Sequence, residues 1–346
     1  MNFNSVDFFI FFLVFYLLYW TVFKSNKKVQ NLFILIGSYL FYAHWDWRFL
    51  ALIALNTLVN YFLAIKIEKE ENEKKQKIVL YSGLLFGLGV LGFFKYYNFF
   101  VQSFIDGFSV FGLKTNLKTL QIILPLGISY YTFRTLSYLL DVDKGKIKPT
   151  ENLLVFANFV SFFPSIVAGP IDKAQKLIPQ FENKRTFNYS KSVDGLKQIL
   201  WGAFKKIVIA DNLASLVAKV FDNYETLPAS LLVLGTFLYA IQLYADFSGY
   251  SDMALGVARL LGFEITKNFD FPFFAQNIAE VWKKWHISLT SWLTEYVYTP
   301  LSISFRYYGD FGTILAILIN FTIVGFWHGA NWNCILFGFV HGLYFI

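Results

Sequence analysis

The chain has 346 residues, of which 56% are hydrophobic, 21% aromatic and only 15% charged. A soluble domain carries about 25% charged residues because its whole surface meets water, so this composition excludes that class; helices that face lipid need no such cover. The net charge of +7 does not indicate a nucleic-acid partner, because the lysines and arginines fall in short segments between apolar runs. That is the pattern of membrane topology and of contact with anionic lipid.

The first apolar run, residues 8–23, is preceded by Asp7 and by no basic stretch, and no small-residue cleavage site follows it. It is expected to be a retained span rather than a signal peptide. Further spans are expected at 32–43, 49–65, 78–94, 96–113, 120–140, 153–168, 196–220, 231–261, 314–327 and 332–346. A full crossing takes about 20 residues. Several of these runs are shorter, which points to tilted or re-entrant pieces around a cavity, since non-helical backbone at membrane depth is tolerated only inside protein or along water.

Orientation is legible in the first third. Lys24, Lys27 and Lys28 follow the first run, and Lys66, Lys69, Lys74, Lys75 and Lys77 follow the third, whereas Arg48 is the only Lys or Arg in the connection at 44–48. The positive-inside rule places both lysine-rich loops in the cytoplasm, and the N-terminus and residues 44–48 outside. A cysteine placed at Asn72 in a Cys334→Ala background is therefore expected to stay unlabelled by an impermeant thiol reagent on whole cells and to react after permeabilisation. Labelling of intact cells would reverse the orientation.

The stretch 268–311 differs from the rest. It has no span-length apolar run, yet holds Trp282, Trp285 and Trp292 among Lys283, Lys284 and Arg306. Tryptophan and basic residues together favour the interfacial plane, so horizontal helices are expected there. No repeat or linker is evident, and one domain is expected over 1–346. The last apolar run ends without a polar flank, so the chain is expected to continue beyond it.

Polar groups inside apolar runs are costly, which makes them the first candidates for function. His328, in Gly-Phe-Trp-His-Gly-Ala-Asn-Trp at 325–332, follows the apolar run directly, and an imidazole suits a general base for a hydroxyl near neutral pH. Gly325 and Gly329 are expected to leave room beside it, with Trp327 and Asn331 as neighbouring substrate-binding candidates. His286 stands next to Trp285 and close to Ser288, Thr290 and Ser291; catalytic positioning and an inert aromatic belt are both open readings. Asp246 and Asp252 interrupt a helix-length apolar run, either as acid/base groups or as ion-pair partners of Arg134, Arg259 or Lys205. Arg134 raises the same choice. His341 is expected to be a packed histidine. One Cys, four His and no paired-cysteine motif leave no expected metal site. No phosphate loop or Gly-x-Ser-x-Gly elbow is present, which removes the usual support for ATP-driven transport and serine hydrolysis.

Several blocks, in order, resemble the membrane-bound O-acyltransferase family in its alginate O-acetyltransferase branch: LPLGISYYTFRTLSYLLDV from Leu124, FFPSIVAGPI from Phe162, WGAFKKIVIADNLA from Trp201, YADFSGYSDMALGVARLLGF from Tyr244, VWKKWHISLTSWL from Val281 and GFWHGANWN from Gly325. The resemblance runs over about 124–342. It implies an all-α polytopic membrane protein with a ring of helices around a thin central region. It maps the family's functional histidines onto His328 and His286. It also implies an acyl donor such as acetyl-CoA with no tightly bound cofactor, a polysaccharide acceptor, an extracytoplasmic partner of the SGNH-hydrolase type, and a place in the bacterial cytoplasmic membrane. After Tyr298 relatives often continue Pro-Leu-Gly-Gly-Asn-Arg; here Pro300 and Leu301 run into Ser302, Ile303 and Ser304, which leaves the acceptor open. The D-alanyl transferases of teichoic acid export share the fold and the histidine pair. A proton-handling transporter or scaffold is the reading outside enzymes, although such proteins often carry inverted repeats, and none is visible.

Overall fold

Many helices in this chain begin at an asparagine. In a computed structural model, which describes every residue except Asn2 and Lys114, the side chains of Asn26, Asn72, Asn152, Asn188, Asn277 and Asn331 each accept a hydrogen bond from a first-turn amide. An asparagine oxygen satisfies a helix donor that has no intrahelical partner, so these residues fix where helices start in a chain poor in other punctuation. The described residues form helices and connections with no strand.

Four helical stretches are long and apolar enough to cross a membrane: Lys27–Lys69, Glu73–Val110, Ala229–Leu260 and Arg306–His328. Val6–Thr21 and Trp332–Phe345 are shorter apolar helices. The protein is thus an integral membrane protein of the all-helical kind.

The chain divides into two compact units. The first comprises Met1–Ala54 and Thr150–Phe269, and its core is aromatic. Phe163, fully buried, touches the rings of Phe11, Phe15, Phe41 and Phe162 at centroid separations of 5.8, 5.5, 5.7 and 6.2 Å. The N-terminal amine lies 3.3 Å from Nδ1 of His44, so the N-terminus and the 44–48 connection share a side, as the lysine distribution requires. Extended backbone at Asp46 (φ −160°, ψ 109°) breaks the helix there. Gly249 admits another backbone: a Cβ there would meet the Gly202 carbonyl oxygen at 2.8 Å, and one at Gly256 would meet the Gly195 oxygen at 2.4 Å. The helices Tyr189–Ala203 and Ala229–Leu260 therefore touch along their backbones, the usual use of small residues in membrane helix packing.

Two expected spans are corrected in this unit. Residues 153–168 form two short helices, Leu153–Ser161 and Phe163–Ile166, because Phe162 leaves helical geometry (φ −52°, ψ 106°) ahead of Pro164. Residues 196–220 begin earlier, at Tyr189, and pass through a π-helical segment, Phe204–Ala210, before Asp211–Phe221.

The second unit comprises Leu55–Pro149 and Asp270–Ile346. The expected span at 120–140 starts late, as the helix Ile128–Asp143 after Gly127 at φ 70°. The expected break at Lys95 is instead a π-helical turn, Gly92–Tyr96, inside a helical run from Glu73 to Val110. The stretch after 268, which holds no span-length apolar run, folds into short helices, among them Ile278–Lys284 and Ile287–Leu293.

Gly309–His328 and Trp332–Phe345 meet at glycine. A Cβ on Gly325 would lie 2.1 Å from the Cys334 oxygen, and one on Gly338 would lie 2.2 Å from the Phe321 oxygen. These obstacles are backbone atoms, so Gly338→Val must push the helices apart, at an expected cost of about 1–3 kcal/mol. The thermal midpoint of the detergent-solubilised variant should fall clearly below that of the parent. An unchanged midpoint would contradict the backbone contact.

Candidate functional site

Trp327 organises the candidate site. It is buried and lies in the last turn of Gly309–His328. Its ring lies 5.6 Å from the imidazole of His286 and 4.9 Å from that of His328. The two histidines, separated by more than forty residues in sequence, are thus gathered around one indole. They differ in access: His286 is 1% exposed, whereas His328 presents its side chain at the surface of the fold.

His286 is held from several directions. It precedes the helix Ile287–Leu293 in the left-handed backbone region, at φ 44° and ψ 52°. A non-glycine residue there stores about 1–3 kcal/mol of strain, and such strain collects at functional sites. Trp292, near the end of that helix, stacks on Phe133 at 4.2 Å and donates its indole N–H to the Phe133 carbonyl at 3.0 Å. Beyond it, Tyr296 donates to Asp141 at 2.9 Å, and Lys146 pairs with Glu295. These contacts tie the segment carrying His286 to the helix Ile128–Asp143. His286 lies outside the four spans, and burial, followed by the neighbouring His328, pushes its pKa well below the ordinary imidazole value.

Lys95 is the residue that the sequence reading did not single out. From the π-helical turn its ammonium donates to the Trp327 carbonyl and sits 5.3 Å from the Trp327 ring centre, while Tyr96 donates to the Phe326 carbonyl at 3.2 Å. A cation at the carbonyl end of a helix both caps it and opposes its dipole, so Lys95 fixes the turn that presents His328. Its position inside an apolar run was the available signal; π-turns also recur at functional sites.

The other candidates divide. Tyr130 and Phe133 approach the Trp327 ring at 6.0 and 6.2 Å, and Arg134 is fully buried on the same helix. Trp285 is half-buried and extended, immediately before His286. Asn331 accepts from the Cys334 amide at 2.8 Å and caps the following helix. The room expected beside Gly325 and Gly329 is taken: Cys334 lies against both, with its sulfur 2.7 Å from where a Gly329 Cβ would stand. Asp252 pairs with Lys205 and accepts from Gln198 at 3.1 Å, and Asp246 pairs with Lys206 at 2.7 Å. Both aspartates lie in ion pairs of the first unit: Asp252 with Lys205, one of the partners weighed, and Asp246 with Lys206, which was not among them. His341 packs against Trp282 at 5.3 Å.

One group around Trp327 lacks its complement. The indole N–H of this buried residue has no acceptor among the described residues. Leaving such a donor unsatisfied costs about 1–3 kcal/mol.

Two histidines gathered at one buried tryptophan in a helical membrane fold make up the candidate site. Residues 148–346 match the membrane-bound O-acyltransferase family. Over 344 residues the chain is 40% identical to a probable alginate O-acetylase of Pseudomonas aeruginosa, covering 99% of this chain and 64% of that protein. It is 39% identical to the corresponding protein of Pseudomonas putida, over 99% of this chain and 69% of the relative. It is also 35% identical to a peptidoglycan O-acetyltransferase of Helicobacter pylori, over 93% and 64%. The chain belongs to the membrane-bound O-acyltransferase family, and spans about two thirds of the length of these relatives.

Proposed function

We propose that the protein transfers an acetyl group from a cytoplasmic thioester, such as acetyl-CoA, to a hydroxyl of an extracytoplasmic polysaccharide. The observation that carries this reading is the pairing of an accessible His328 with a buried His286 around Trp327.

In this reading His328 takes the proton of the acceptor hydroxyl as the oxygen bonds to the thioester carbonyl carbon. The tetrahedral intermediate collapses with cleavage of the carbon–sulfur bond, and the imidazolium returns the proton to the departing thiolate. The products are an O-acetyl ester and a free thiol. The Trp327 N–H, which has no acceptor among the described residues, donates to a substrate oxygen in this reading, and a fixed donor in a dry site favours the charge that develops there. His286 orients the indole and the neighbouring imidazole, and Lys95 holds the turn between them. Asp246 and Asp252 are assigned no chemical step.

The acceptor is either the polysaccharide itself or a serine on an extracytoplasmic partner of the SGNH-hydrolase type, which then passes the acetyl on. The compartment is the bacterial cytoplasmic membrane. A second reading, D-alanyl transfer, rests on 31% identity to a teichoic acid D-alanyltransferase of Streptococcus thermophilus, over 63% of this chain and 55% of that protein. Acetyl transfer is favoured because the O-acetylation relatives match nearly the whole chain. The test is alkali-labile acetate on the surface polysaccharide of a deletion strain, with and without the restored gene. Loss and recovery of acetate support the proposal, and equal acetate in all strains refutes it. Alanine ester in its place selects the second reading.

A further inference from the structure

The first unit holds a cavity of about 320 Å³ whose wall includes Lys184, Arg185, Lys191 and Arg259. No carboxylate lines it among the described residues. Trp20 forms part of the same wall, fixed by a 2.9 Å hydrogen bond from its indole N–H to the Leu260 carbonyl. The helix Val6–Thr21, whose last turn carries Trp20, leads into Lys24, Lys27 and Lys28, the loop assigned to the cytoplasm. Lys27 also donates to the carbonyl of Glu182, beside the cavity. The pocket is therefore expected at the cytoplasmic face.

Arg185 is the telling residue. It is 6% exposed, and its guanidinium donates to the Gln30 side chain at 3.1 Å, to the Gln180 carbonyl at 3.1 Å and to the Asn31 side chain at 2.6 Å. All three acceptors are neutral. They aim the guanidinium without neutralising it, and Phe263 stacks beneath it at 4.9 Å. A buried charge is tolerated when it is paired, and an unpaired one is a standing penalty. Lys191 and Arg259 share the single carboxylate of Glu264, at 3.3 and 3.4 Å, so the wall keeps excess positive charge. The helix Tyr189–Ala203 also starts here, with Asn188 and Ser192 in the wall, and a helix start adds partial positive charge and oriented amides.

We infer that this cavity binds a phosphate-bearing group from the cytoplasmic side, with Arg185 as its fixed anchor and Lys184 and Lys191 as its mobile rim. A planar guanidinium held by neutral acceptors suits a phosphate oxygen pair. Two sources share that chemistry: the headgroup of an anionic phospholipid, and a soluble phosphorylated molecule. The inference goes beyond the acyl-transfer proposal, and its test needs no turnover, so either can fail alone.

The test is equilibrium dialysis of the delipidated protein in neutral detergent against radiolabelled inorganic pyrophosphate. Saturable binding is expected. The exposed pair Lys184→Gln with Lys191→Gln should weaken it about tenfold, as loss of charge-assisted contacts does, without lowering the thermal midpoint. Arg185→Gln should weaken it further. Phosphatidylglycerol added to the detergent distinguishes the sources: displacement of pyrophosphate identifies a lipid site, and undiminished pyrophosphate binding identifies a soluble ligand. Absence of saturable binding to the parent, or parental affinity in the double variant, would overturn the inference.

Discussion

His328→Ala is expected to lower acetyl transfer about 10²–10⁴-fold, chiefly in kcat, the range that general-base groups contribute. The substitution is clean because the side chain is exposed and its ring meets only Trp327 among the ring contacts of the described residues, so little packing is lost. Membrane abundance and thermal midpoint should match the parent. His328→Gln should be equally inactive, since an amide fills the space but cannot carry the proton. Activity within a few-fold of the parent in both variants would remove His328 from the chemistry.

Substitution at His286 is expected to act through position. Alanine is a poor probe there, because the backbone at φ 44° disfavours an alanine side chain as well. Asparagine tolerates the left-handed region, so His286→Asn keeps the turn while removing the imidazole from Trp327. A displacement of about 1 Å in a reacting geometry costs about 10²-fold, and a loss of that order is expected. Part of it should appear in KM, unlike the loss at His328, because substrate alignment precedes the chemical step. A loss confined to kcat, with KM unchanged, would make His286 a direct participant in proton transfer.

What the sequence made legible follows from which interactions are local. Apolar run length gave the approximate long helices, and the lack of a span-length apolar run after 268 accords with the short helices found there, because each of these is written in neighbouring residues. His328 and His286 stood out as ionisable groups in apolar context. Lys95 was read as a break between spans, because its acceptor, the Trp327 carbonyl, lies more than two hundred residues away. Sequence separation also hid most of the neutral cage of Arg185, because Gln30 and Asn31 lie 155 and 154 residues away, and only Gln180 is near in sequence. The glycines misled in a different way: Gly325 has the absent side chain that a substrate channel would use, yet the space is taken by the backbone of Cys334. A missing Cβ tells that something comes close, not what.

The measurement closest to the central claim is acetyl transfer in inverted membrane vesicles, whose cytoplasmic face is turned outward. Vesicles from cells expressing the protein would receive a thioester donor labelled in its acetyl group, with the acceptor glycan enclosed. The account predicts alkali-labile label on the enclosed glycan with parental protein and background label with His328→Ala at equal abundance. Label on the glycan at the parental level in the His328→Ala vesicles would contradict it.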